Sequence, residues 1–276
     1  MSVRFEATAT DRALGDHVCW PFHGMDDLVS TARPYVREGL DRHERVAFCR
    51  IDAAGIHHAE ISDVDQVGRS PGADLPVLMP VAPEARWTPS ESPIAAFERM
   101  TRAAVADGYT GLRVLTDATE VVRDQGTRPL WVRGEHLLDR YGLHHPLAVL
   151  CGYDADLLGA EVLAEVGCLH ALTAGPICSF LLRAADAGGT LALVGEVDRA
   201  SAPDLVRAVT ALAGDLSRPV VLDLTEHEFL DHSALVALDR AALSMGTTID
   251  LVGASPLTTC LVDVLQLTGV LVREGP

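Results

Sequence analysis

Short apolar segments of strand length alternate with longer amphipathic segments along nearly the whole chain, and no other feature restricts the fold as much. His17–Trp20, Arg45–Ile51, Leu75–Val81, Gly111–Leu115, Leu147–Cys151 and Leu169–Leu172 read as buried strands. Between them, Met25–Leu40 repeats apolar residues at helical spacing, with Leu28, Ala32, Tyr35, Val36 and Leu40 on one face. Further helices are expected over about 93–107, capped by Ser92 and ended by Gly108, over Trp131–Tyr141, and over Asp156–Val166. Residues 56–72 carry no clear period. Strands separated by helices of this length are joined by crossovers, so they run parallel and are covered on both faces, as a three-layer α/β sandwich.

The turn Thr173–Pro176 joins Gly175 to Pro176 and divides the 276 residues into two domains, 10–175 and 177–276. In the second, strands Ile177–Ala184 and Thr190–Val197 flank a Gly188–Gly189 turn, followed by a serine-capped helix Ser201–Ala213. A strand Val220–Leu224, a helix beginning near Asp231–Ser233, a strand Thr248–Gly253, a helix from Pro256 to about Leu267 and a strand Val270–Arg273 complete it. This second domain is also α/β, a mixed sheet with helices.

The formal net charge is −17, and the chain contains no lysine. A phosphate-binding P-loop and Schiff-base chemistry both need that amine, so both are excluded, and no cofactor is expected. Nucleic acid is not an expected partner, because its binding needs a basic surface. Six cysteines without a CxxC pair, and no signal-like N-terminal segment, point to reduced thiols in the cytoplasm. The longest stretch without Asp, Glu or Arg, Val166–Leu182, contains His170, Thr173, Gly175, Pro176 and Ser179 and does not read as a membrane span.

The most informative segment runs from the strand Val220–Leu224 through acidic residues Glu226 and Glu228 to Asp231-His-Ser-Ala234 at a helix start. Free N–H groups and the helix dipole favour negative charge there, so Ser233 is well placed to carry a phosphoryl group. Asp231 and Ser233 are equally suited to a plain capping role. Gly195-Glu-Val-Asp198, the Val220–Leu224 strand and Phe229-Leu-Asp-His-Ser-Ala-Leu235 together resemble the STAS domain of bacterial anti-sigma-factor antagonists, over about Ile177–Arg273. The resemblance implies that Ser233 is the residue phosphorylated by an anti-sigma factor that is also a serine kinase. It further implies that this partner contacts Asp231, His232 and Ala234, with Glu196 and Asp198. Two positions depart from the family motif: His232 replaces a hydroxyl residue and Ala234 replaces glycine.

In the first domain, Asp16-His-Val-Cys-Trp20, Val36-Arg-Glu-Gly-Leu40, Arg45–Cys49, Gly108-Tyr-Thr-Gly-Leu-Arg113 and Leu150-Cys-Gly-Tyr-Asp154 resemble the MEDS sensory domain over roughly residues 10–175. The resemblance implies a RecA/KaiC-like α/β sandwich lacking a P-loop, which senses a small organic molecule. Ligands of open α/β sheets bind beyond the carboxyl ends of the strands. His17, Cys19, Trp20, Arg113, Tyr153 and Asp154 are the expected lining. Cys19 and Cys151 are alternatively buried small hydrophobes, and Tyr153 a packed aromatic.

No metal is expected, because no spaced Cys/His pairs occur and the adjacent pairs His57–His58 and His144–His145 read as loop surface. The expected function is therefore a cytoplasmic, non-enzymatic sensor that relays its state by partner switching. The alternatives are a STAS scaffold that binds without phosphorylation, and a small-molecule enzyme using Cys19 with His17. The sequence leaves a homodimer open.

Overall fold

A computed structural model of the chain describes residues 12–52, 55–67 and 94–273. The expected strand Leu75–Val81 and the Ser92 cap lie outside the described residues. The first domain contains strands β1 (His17–Phe22), β2 (Arg45–Asp52), β3 (Gly55–Ile61), β4 (Leu112–Asp117), β5 (Leu147–Asp154) and β6 (Leu172–Thr173). Its helices are α1 (Gly24–Asp41), α2 (Ala95–Ala106), α3 (Thr119–Arg123), α4 (Arg128–Gly142) and α5 (Ala155–Gly167). The sheet order is β3-β2-β4-β5-β1-β6, parallel except for β3, which pairs antiparallel with β2. The described part of the segment without a clear period, up to residue 67, is β3 followed by a 3-10 turn at Val64–Gln66 with a capping box on Asp63. His57 and His58 lie in this strand rather than in a surface loop, with His57 Nε2 3.1 Å from Asp52.

Strand side chains alternate between the two faces. Val18, Trp20, Phe22, Phe48 and Leu150 pack beneath α1 with its Leu28, Ala32, Tyr35 and Val36. Cys19, Cys49, Val114, Val149, Cys151 and Tyr153 face the other way, towards the buried residues of α2, α3, α4 and α5. Helices therefore cover both faces, which is why β4 and β5 are buried almost without a break.

The second domain has strands β7 (Phe180–Ala184), β8 (Leu191–Val197), β9 (Val220–Asp223), β10 (His227–Leu230), β11 (Ile249–Val252) and β12 (Val270–Arg273). Its helices are α6 (Ala202–Leu212), α7 (His232–Ser244) and α8 (Pro256–Val264). The order is β10-β8-β9-β11-β12 in parallel, with β7 antiparallel to β8. The sheet is mixed, as expected, but β10 occupies a segment that reads as an acidic loop. Ser201 precedes α6 without capping it: its hydroxyl instead donates to Asp198 at 2.9 Å.

The larger apolar core runs without a break from the first sheet into the second domain. Helix α4 lies at the junction. Its Arg133 forms a two-pronged ion pair with Asp215, and its Asp139 accepts the backbone N–H of Ala184. No described helix is long and apolar enough to cross a membrane.

Candidate functional site

Four chain segments deliver four polar side chains to one buried point between the first sheet and α4. In β1 and β5, His17 pairs with Val149 and Cys19 with Cys151, so His17, Cys19, Cys151 and Tyr153 share the face that α4 covers. On α4, Trp131, Glu135, Leu138, Asp139 and Gly142 recur at helical spacing and form its buried stripe, which carries two acids inward. His170 arrives from the turn after α5, held by its Nδ1 to the Val166 carbonyl at 2.9 Å. The two imidazoles stack with ring centroids 4.2 Å apart.

Glu135 is the hub. Its Oε2 stands 2.9 Å from His17 Nε2, 3.3 Å from His170 Nε2 and 3.5 Å from Cys151 Sγ. Its Oε1 accepts the Tyr153 hydroxyl, which in turn accepts the Trp131 indole N–H at 3.0 Å. Burial alone would raise the Glu135 carboxyl, but His170 and His17 together hold it well below the usual carboxylate range. Burial would likewise lower His17, yet Asp139 and Glu135 push it up to about 9. Burial lowers His170 despite Glu135, and raises the Cys151 and Tyr153 protons, with the Glu135 charge adding to both.

The six residues expected to line a ligand site do not converge. His17 and Tyr153 meet through Glu135, and Cys19 lies on the same face with a thiol pushed up by burial. Trp20 points to the opposite face, 5.5 Å from Phe22. Asp154 caps α5, accepting the N–H groups of Asp156 and Leu157. Arg113 is a correction of position: it is the second residue of β4, at the amino end of the sheet. There it is fully buried against Glu44 and Glu38, over the Tyr35 ring at 4.7 Å, and donating to the Arg12 carbonyl. The thiol beside His17 is Cys151, 3.5 Å from Nε2, rather than the expected Cys19. Glu135, Asp139 and His170 were not expected; acids within an apolar helical stripe were the one legible signal for the first two.

The second constellation lies at the carboxyl ends of β8 and β10. Asp231 is the N-cap of α7, and its carboxylate accepts the Ser233 N–H at 2.8 Å and the Ser233 hydroxyl. These two donors hold the Asp231 carboxyl below its ordinary value. His232 is exposed, with Nδ1 3.4 Å from Asp231; Ser233 is half-buried, and Ala234 is buried. Glu196, Glu226, Glu228 and Phe229 are exposed nearby, with Phe229 in register with Glu196 across the β10–β8 ladder. Asp198 is occupied in turning the chain into α6, accepting N–H groups of Ala200 and Ser201.

Comparison with known families accounts for both halves. The model described as MEDS, the methanogen/methylotroph DcmR sensory domain, matches residues 16–171. The model described as the Mlab STAS domain matches residues 180–273. No curated protein matches the chain.

Proposed function

The chain belongs to the MEDS family and carries a STAS domain behind its sensory domain, and from this arrangement we propose that it acts as a signal-responsive anti-sigma-factor antagonist. The first domain takes up a small organic cue. The second binds an anti-sigma factor that is also a serine kinase, and phosphorylation of Ser233 ends that binding. The protein works in the cytoplasm by association, not by catalysis.

The observation that carries this reading is the Asp231–Ser233 geometry at the start of α7. A phosphoryl group on Ser233 would stand at the positive end of the α7 dipole, which stabilises it. It would also break the hydroxyl's bond to Asp231 and set two anionic groups side by side. Modification therefore remodels the docking surface both locally and electrostatically.

One observation favours a second reading, a STAS scaffold that binds its partner without phosphorylation. The Ser233 hydroxyl is already spent on Asp231, and the residue is half-buried. Incubating the full chain with its anti-sigma kinase and ATP separates the two. The switch predicts label on the wild type and none on Ser233→Ala; binding of the kinase without any label supports the scaffold.

A further inference from the structure

We propose that His17, Glu135, Cys151 and His170 form a closed four-coordinate site for a divalent transition-metal ion of the zinc class. Nε2 of both histidines, a Glu135 carboxylate oxygen and the Cys151 sulfur all lie within 4.8 Å of one another, and all four side chains are fully buried. With bonds of about 2.0–2.1 Å to nitrogen and oxygen and about 2.3 Å to sulfur, a tetrahedral ion needs donor–donor edges of roughly 3.3–3.6 Å. Three observed edges meet this: His170 Nε2 to Glu135 at 3.3 Å, Cys151 Sγ to Glu135 at 3.5 Å, and Cys151 Sγ to His17 Nε2 at 3.5 Å. The His17–Glu135 edge, at 2.9 Å, opens by a few tenths of an ångström to receive the ion.

The arrangement of protons makes the same point independently. His170 Nδ1 faces the Val166 carbonyl at 2.9 Å, which fixes the proton there and turns the Nε2 lone pair inward. That Nε2 has no hydrogen-bond partner, although it is buried 3.3 Å from a carboxylate oxygen that can only accept. His17 also turns Nε2 to the centre, while its Nδ1 faces Asp139 at 3.6 Å, beyond hydrogen-bond reach. Two imidazole Nε2 atoms, a carboxylate oxygen and a thiol thus converge on one point. A cation at that point displaces the protons of the Cys151 thiol and of His17 Nε2 to solvent, and is then held by two imidazole nitrogens, a carboxylate and a thiolate.

The surroundings match those that orient metal ligands elsewhere. Ligating histidines usually donate their second N–H to a carboxylate or a backbone carbonyl; His170 does so to Val166, and His17 faces the Asp139 carboxylate at 3.6 Å. The Tyr153 hydroxyl, itself held by Trp131, fixes the second oxygen of Glu135. Nitrogen, sulfur and one carboxylate suit zinc rather than calcium or magnesium, which prefer all-oxygen shells. Full burial of every ligand leaves no open position, so the ion is structural. It ties β1, β5, α4 and the turn after α5 together, and Asp139 extends that tie to Ala184 in the second domain.

The test uses the full chain, purified without chelator and assayed for metal by mass spectrometry, then unfolded with chelator, refolded and titrated with Co2+ as the probe. One equivalent of zinc on the purified chain is expected. Cobalt loading should produce tetrahedral d–d bands and a thiolate charge-transfer band, and the latter should vanish in Cys151→Ser. Tyr153→Phe, which leaves every ligand in place, should weaken metal affinity about 10-fold. If the wild type, shown by circular dichroism to be folded, carries no zinc and takes up neither Zn2+ nor Co2+, the proposal is overturned. A cobalt spectrum unchanged in Cys151→Ser overturns it as well, by placing the ion elsewhere.

Discussion

The carboxylate of Asp139 accepts the backbone N–H of Ala184 at 2.6 Å, joining α4 of the sensory domain to β7 of the STAS domain. Both partners are buried. Removing the carboxylate in Asp139→Ala strands a buried N–H, which costs about 1–3 kcal/mol. The expected outcome is a drop of that size in unfolding free energy together with faster hydrogen exchange at Ala184. Unchanged exchange there would show that the bond does not hold the junction.

The Arg133–Asp215 pair crosses the same junction with a forked guanidinium, and Arg140 donates to the Asp215 carbonyl at 3.1 Å. Arg133 is more than a third exposed, so the pair is screened by solvent. A double-mutant cycle of Arg133→Ala with Asp215→Ala should return a coupling of at most about 1 kcal/mol, shrinking as salt is added. A larger, salt-insensitive coupling would mean that the junction is drier than its exposure indicates.

Arg113 belongs to the opposite regime. Its guanidinium is fully buried, and its removal leaves Glu44, itself buried, without its ion-pair partner. Arg113→Met should destabilise the chain by about 3–5 kcal/mol, the usual cost of an uncompensated buried charge. Replacing Arg113 and Glu44 together by apolar residues should recover much of the loss. Denaturant unfolding of the two variants decides this, and equal destabilisation by both would refute it.

Asp231 caps α7 whether or not Ser233 is ever phosphorylated. Asp231→Ala should cost about 1 kcal/mol, whereas Asp231→Asn, which keeps an acceptor, should cost less. Because the folded state holds this carboxyl below its ordinary value, its contribution is complete above the usual carboxylate range and is lost as pH falls from that range through the lower folded value. The stability gap between wild type and Asp231→Ala should therefore narrow on acidification. A gap that widens on acidification has the wrong sign and would count against the cap.

How much of this was legible in the sequence varies with the range of the interaction. The strand at Val270–Arg273 and the helix at Asp231–Ser233 were readable because period and capping act over a few residues. Strand β10 was not, because its acidic, exposed residues are ordered by pairing with β8 rather than by a buried face of their own.

The sequence by itself determined the alternation of elements, the two family resemblances and the serine at the start of α7. All of these rest on local spacing or contiguous motifs. Only the tertiary structure decided that Arg113 lies at the amino end of the sheet and that Trp20 faces away from His17. It alone brought His17, Glu135, Cys151 and His170 to one point. Those four residues sit on two strands, a helix and a turn, so no spacing along the chain records their meeting. Sheet register and helix packing brought them together.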